Sequence, residues 1–158
     1  MAWTVTTSFG SFGRLGEPFI ASETALNDSD KTLVLATDFS DIKGIVVDGI
    51  RVEYVASATV GNRGLTILVT DGGDTICEVP ISTATKLVTA SQTQNAEFSA
   101  SSVHLASTSN TDSAGADLQA AYMPVLYLPR SSSIRVFDSA AVDAAADDMI
   151  VHIRGRRF

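Results

Sequence analysis

Apolar and polar positions along this chain alternate mostly with a period of two. The clearest run is GIVVDGIRVEYVASATVG, Gly44 to Gly61. Within it Ile50, Val52 and Tyr54 share one parity, and Arg51 and Glu53 take the other. Successive side chains of a strand point to opposite faces, so this pattern predicts a half-buried strand. Asp48-Gly49, just before it, predicts a tight turn or a bulge. The second strong signal is LTILVTDGGDTICEVPI, Leu65 to Ile81, in which two β-branched runs flank Asp71-Gly72-Gly73-Asp74. Glycine reaches the positive φ angles that hairpin turns require. Thr66–Thr70 and Thr75–Val79 are therefore expected to pair, with Pro80 ending the ladder because it has no N–H to donate.

TLVLATDF (Thr32–Phe39), ATKLVTASQ (Ala84–Gln92), NAEFSASSVHLAS (Asn95–Ser107), SIRVFD and MIVHIR also read as strands. AAYMPVLYLP (Ala120–Pro129) is broken by Pro124, which fits an edge or interface strand. Thr108–Asp117 is small, polar and glycine-containing, hence an exposed loop. Glu17 to Lys31 offers Ser22 or Thr24 as caps, but its apolar spacing is weak, so a loop with at most one helical turn is expected. Met1 to Gly16 contains FGSFGRLG. Phe9 and Phe12 set among glycines fit an extended arm anchored on a neighbour, and equally a first strand folded onto its own core. About eight short strands with almost no helix predict an all-β chain, an antiparallel β-sandwich or jelly roll, with a closed barrel as the alternative. The division expected is an arm over 1–16, one β domain over 17–153 and a basic tail over 154–158.

Composition adds one point. Charged residues make up 18% of the 158 residues, against about 25% in ordinary domains. Lys31, Lys43 and Lys86 are the only lysines. Protein–protein interfaces are depleted in Lys, Glu and Asp, so much of this surface is expected to face other subunits; a weakly charged monomer is the plainer alternative. The net charge of −7 argues against nucleic acid as the main partner, since tracking phosphates needs a basic face. No secretion signal is visible, and no apolar run approaches the roughly 20 residues of a membrane-spanning helix.

Candidate chemistry is sparse. His104 and His152 each sit alone within an apolar strand, outside any metal-type pair. Cys77 in DTICEV reads as a small strand hydrophobe. No GxSxG elbow occurs. Asp71 with Asp74, and Asp143 with Asp147 and Asp148, are the carboxylate clusters that calcium could use, though neither has EF-hand spacing. Turn chemistry accounts for both as well. No catalytic residue, cofactor or metal site is assigned. The ending IRGRRF places Arg154, Arg156 and Arg157 within four residues, followed by Phe158. Guanidinium forks suit carboxylates, so the tail is expected either to dock on an acidic groove of a neighbour or to remain solvated.

LPRSSSIRVFDSAAVDAAADDMIVHI, Leu128 to Ile153, resembles the C-terminal segment of small virion proteins of tailed bacteriophages. Their pattern there is IRV-(Y/F)-D-(S/T)-AA-(I/V)-D-x-AADDM. GIRVEYVASATVGNRGLTILV, Gly49 to Val69, is similar in a looser way. Where the family often has proline, this chain has Ala144, Ala145 or Ala146. The resemblance implies a structural, non-enzymatic virion component made in the host cytoplasm. The favoured position is a head decoration or cement protein on the major capsid protein shell, self-associating, with a trimer favoured. A head–tail adaptor, neck or tail-fibre attachment protein is the alternative within that class, and a carbohydrate-binding sandwich with Trp3, Tyr122 and Tyr127 is the alternative outside it. The expected contact residues are Phe9, Phe12, Tyr122, Tyr127, Arg154, Arg156, Arg157 and Phe158.

Overall fold

The computed structural model describes residues 3–7, 16–39, 41–55, 57, 59, 61–62, 64–80, 87–88, 93–99, 121–122, 125–140 and 143–158. These residues are mostly β, in two main antiparallel sheets with a single helical turn. The larger sheet runs β1 (Thr4–Thr7), β2 (Glu17–Glu23), β13 (Asp148–Arg157), β4 (Gly44–Val55), β9 (Thr93–Ser99) and β10 (Ala121–Tyr122). Its last pair, β9 with β10, is parallel. Strand β11 (Leu126–Pro129) pairs with the first third of β4, and β9 with the remainder of the same edge. The smaller sheet runs β3 (Asp30–Val34), β12 (Ser132–Asp138), β6 (Leu65–Asp71) and β7 (Asp74–Pro80). A two-residue ladder joins β5 (Gly61–Asn62) to β8 (Leu87–Val88). Among the described residues no helix is long and apolar enough to cross a membrane.

The inward residues of both main sheets form one apolar cluster. Phe19, Val47, Ile50, Val52, Tyr54, Val151 and Ile153 come from the larger sheet, and Leu33, Ile67, Val69, Ile134 and Val136 from the smaller. The alternation expected of β4 is present, with a reversal in the middle. Ile45 and Val47 face the core before Asp48-Gly49, and Ile50, Val52 and Tyr54 face it afterwards. The reversal is a bulge: Arg154 pairs with Gly49 and Gly155 with Val47, so Asp48 has no partner on β13. An extra residue in one strand shifts every later side chain to the opposite face.

The β6–β7 hairpin also matches its sequence signal. Gly72 and Gly73 form the two-residue loop with φ of 58° and 103°. An added Cβ would touch nothing at either position, so the requirement there is conformational and not steric. Gly73→Ala is expected to lower stability by roughly 1–2 kcal/mol, the usual penalty for a left-handed non-glycine residue. A thermal melt checks this, and an unchanged midpoint would mean that the turn relaxes freely.

Three expectations are corrected. Glu17–Lys31 is not a loop with a helical turn, because Glu17–Glu23 is strand β2, paired with both β1 and β13. Its pattern was concealed because the core-facing set is Phe19, Ala21 and Glu23 while the apolar Ile20 faces outward. Glu23 is buried at the strand end, where its Oε1 accepts the Ala25 N–H. Thr32–Phe39 is not one strand. Strand β3 stops at Val34, and Leu35–Asp38 makes one helical turn (α1), with the Asp38 carboxylate accepting the Val34 N–H at 2.7 Å. That turn sends Phe39 back into the core, where its ring meets Phe19 edge-on at 5.0 Å.

The third correction concerns the basic ending. Arg154, Arg156 and Arg157 are not a loose tail. They continue β13 between β2 and β4, in the interior of the larger sheet. At the other end of the chain, Thr4–Thr7 form an edge strand and the Trp3 indole donates to the Thr32 carbonyl at 2.9 Å. Phe9 and Phe12 lie outside the described residues, as do most of Ala84–Gln92, the second half of Asn95–Ser107, and Thr108–Asp117.

Candidate interaction surface

The stretch between β12 and β13 is a hydrogen-bonded knot built on aspartates. Asp143 accepts the N–H groups of Ala146 and Asp147 through its backbone carbonyl, each at 2.9 Å, winding a single turn. Its carboxylate receives the hydroxyls of Ser57 and Thr59 at 2.6 and 2.7 Å. Asp147 is fully buried and takes the Tyr54 hydroxyl on one oxygen and the Ser57 N–H, at 2.7 Å, on the other. Asp148 accepts the Asn27 N–H at 2.6 Å. Asp138 accepts the N–H groups of Gly64 and Ala140 at 2.8 and 3.0 Å. Asp143 and Asp147 thus share the segment after β4, while Asp148 turns toward Asn27 and Asp138 toward Gly64. Among the described residues no group of three or more His, Cys, Asp or Glu is placed to hold a metal ion. Asp71, in the hairpin, accepts the Ser131 hydroxyl.

Three of the expected contact residues, Tyr127, Arg154 and Arg156, lie on the exposed side of the larger sheet. Cross-strand register lines up Tyr127, Val46, Arg156 and Pro18 in one row. The next row contains Arg154 and Ile20, and the one after it Arg51, His152 and Ser22. Tyr127 is 78% exposed and Ile20 50%. Tyrosine and arginine beside aliphatic residues, with no lysine in these rows, is the composition of protein contact surfaces.

A depression of about 340 Å³ lies on this face, lined by Ile20, Gly49, Ile50, Arg51, His152 and Arg154. The Arg154 guanidinium lies directly over Gly49, where a Cβ would collide with it. An anion entering here would compete with carboxylates of the protein itself. Arg51 is bonded to Glu53 at 2.5 Å and Arg154 lies 3.3 Å from Asp48. The His152 Nδ1 shares a 2.8 Å hydrogen bond with the Ser22 hydroxyl. Arg156 differs: it is exposed and forms no ion pair or side-chain hydrogen bond with a described residue.

Of the sequence candidates, the structure brings together Tyr127, Arg154 and Arg156. It assigns Arg157 and Phe158 elsewhere. Arg157 is bonded to Glu17 at 2.6 Å and approaches Asp41 at 3.8 Å. Phe158 pairs through its backbone with Lys43 and Gly44 at 2.7 and 3.0 Å, and its half-exposed ring covers Gly16. These two residues fasten the end of the chain to its own sheet. The backbone of Tyr122 lies in β10, and its side chain is outside the described residues. Ile20, Arg51 and Ser22 were missed as surface candidates. The alternation in β4 already placed Arg51 outward; nothing in the local pattern did so for Ile20.

On the exposed side of the smaller sheet, Arg135 forms a two-pronged pair with Asp30 at 2.6 and 2.8 Å and lies 4.2 Å over the Phe137 ring. The hydrogen bond to Asp30 is the main cause holding this guanidinium above its ordinary pKa; partial burial opposes it. Both partners are more than 40% exposed on their side chains, so water screens the pair and its contribution to stability is small. Compared with protein-family models, curated proteins and solved structures, the chain matches none.

Proposed function

We propose that this protein is a structural subunit of a tailed-bacteriophage particle, and specifically a head decoration protein that binds and stabilises the shell of the major capsid protein. We read its two sheets as a β-sandwich that presents its outer faces to neighbours. One observation carries the reading. The two stretches that resemble phage virion proteins, Leu128–Ile153 and Gly49–Val69, are the two halves of one device. The second supplies Tyr54, Ser57, Thr59 and Gly64, and the first supplies the aspartates that receive them. The first also provides an interior strand of the smaller sheet and most of an interior strand of the larger. A shared pattern that spans both partners of such a network supports a shared fold, and the motif's carboxylates are employed in holding loops together.

The decoration role fits an outer face of Tyr127, Ile20 and Arg156 and a low overall charge. Many weak contacts repeated across a shell sum to firm attachment. The test is the copy number in purified particles, by quantitative mass spectrometry. On the order of hundreds of copies per particle supports decoration; about a dozen or fewer moves the protein to the head–tail vertex, where closed rings repeat few subunits. Absence from the particle overturns both.

A further inference from the structure

The depression on the larger sheet owes its shape to Gly49, just after the bulge at Asp48. With no side chain there, the Arg154 guanidinium lies over the β4 backbone. Arg51 and His152 are directly opposite each other on β4 and β13. Arg154 is two residues along β13 from His152, or about 7 Å. Ile20, half exposed on β2, is opposite Arg154 and supplies an apolar wall. The polar side chains of the lining are therefore Arg51, His152 and Arg154. The carboxylates that hold the guanidiniums, Glu53 and Asp48, are not part of it. Arg51 gives only Nη2 to Glu53, so Nε and Nη1 have no partner among the described residues. His152 engages Ser22 through Nδ1 alone. When the Ser22 hydroxyl donates to Nδ1, Nε2 carries the ring proton and is a donor.

We infer that this depression receives the carboxylate of an acidic side chain on a neighbouring protein. Arg51 and His152 donate to its oxygens, Arg154 closes the site, and its methylene stem lies on Ile20. Both internal ion pairs are solvent-accessible, with side chains between 30% and 54% exposed. Such pairs are worth little, so each guanidinium can share its donors with a second carboxylate at small cost. The surrounding charge selects the kind of anion. Asp48 and Glu53 offset the two guanidiniums, Glu97 is opposite Arg51 in the register of β9, and the chain carries −7 overall. That background repels a dianion such as phosphate more than a monoanion, and the planar guanidinium fork matches the two oxygens of a carboxylate. That the neighbour is another particle subunit rests on the structural-subunit reading. The site itself is tested on the isolated protein, where it can fail while the protein is still found in particles.

The experiment is an amide NMR titration of the full chain with N-acetyl-glutamate amide at constant ionic strength. Saturable shifts are expected around Gly49, Arg51, His152 and Arg154, with a dissociation constant on the order of 1–10 mM for so small a probe. The isosteric N-acetyl-glutamine amide is expected to bind at least about tenfold more weakly, and inorganic phosphate more weakly than the glutamate probe. Arg51→Gln removes a donor and is expected to weaken binding about tenfold. Gly49→Ala keeps every charge but pushes the flexible Arg154 side chain aside, and is expected to weaken binding as well. Arg156→Gln, outside the depression, is expected to leave binding unchanged. Spectra as dispersed as the wild type's verify that each variant folds. The assignment is overturned by the absence of a saturable shift up to about 100 mM, by glutamine or phosphate probes binding as tightly as the glutamate probe, by either site variant binding like the wild type, or by Arg156→Gln weakening binding as much as Arg51→Gln.

Discussion

Asp147→Ala is expected to be among the most damaging single substitutions in this protein, removing about 3–5 kcal/mol of stability. Asp147 is fully buried and, among the described residues, receives the Tyr54 hydroxyl and the Ser57 N–H. Alanine deletes both acceptors at once and leaves the donors in a place water does not easily reach. A donor stranded in this way costs far more than the net gain from making the bond, because its desolvation is no longer offset. The damage also spreads. Ser57 links Asp147 to Asp143, so losing one end frees the turn between β12 and β13 and the segment after β4 together. For a chain of this size each kcal/mol lowers the melting temperature by roughly 2–4 °C, so a fall of about 10 °C is expected. Tyr54→Phe keeps the ring in the core and removes one donor, and should cost only about 1–2 kcal/mol. A melt in which Asp147→Ala is no worse than Tyr54→Phe would show that the knot is not built around this carboxyl group.

Gly155→Ala is the second large effect, and its cause is steric. Gly155 lies inward on β13, opposite Val47 and beside the bulge at Asp48. A Cβ there would collide with the Val46 carbonyl oxygen, lie 3.0 Å from that carbonyl carbon, and press on the Phe19 ring at 3.2 Å. A flexible side chain could move aside; a backbone carbonyl in a sheet ladder cannot without parting β13 from β4. Overpacking of this kind typically costs about 1–3 kcal/mol, and more where backbone must shift. The alanine variant is therefore expected to lose at least about 3 kcal/mol and to expose the amides of the last strand turn to faster hydrogen exchange. Gly73→Ala is the control, because its added methyl meets nothing. If Gly155→Ala proves as mild as Gly73→Ala, the close approach of these strands is not required.

The same residue shows why part of the fold was hard to read from sequence. In Ile153-Arg154-Gly155-Arg156 the strand alternation is present, but its inward member is a glycine with no apolar side chain to announce it. A run of arginines after it then reads as a tail. Strand β2 was concealed for a related reason: its inward set contains a glutamate and an alanine, and its isoleucine points outward. In both cases a neighbour decides. Phe19 fills the space over Gly155, and β13 pairs with β2 along Glu17 to Glu23, so each makes the other intelligible. The proposed contact surface follows the same rule. Tyr127, Arg156 and Ile20 come from three separate stretches and become a patch only once β11, β4, β13 and β2 lie side by side.

What the sequence determined by itself is whatever rests on neighbours along the chain. The alternation in β4, the bulge signal at Asp48-Gly49, and the paired glycines of the β6–β7 turn all depend on φ, ψ and parity over a few residues, and they appear where those rules place them. The tertiary structure alone decided what depends on partners far apart in the chain. It set which aspartate receives which donor, it turned an apparent basic tail into an interior strand, and it separated the outward arginines from Arg157. Hydrogen bonds and close packing act over a few ångströms of space with no regard for distance along the chain. A pattern read along the sequence therefore registers the first kind of constraint and not the second.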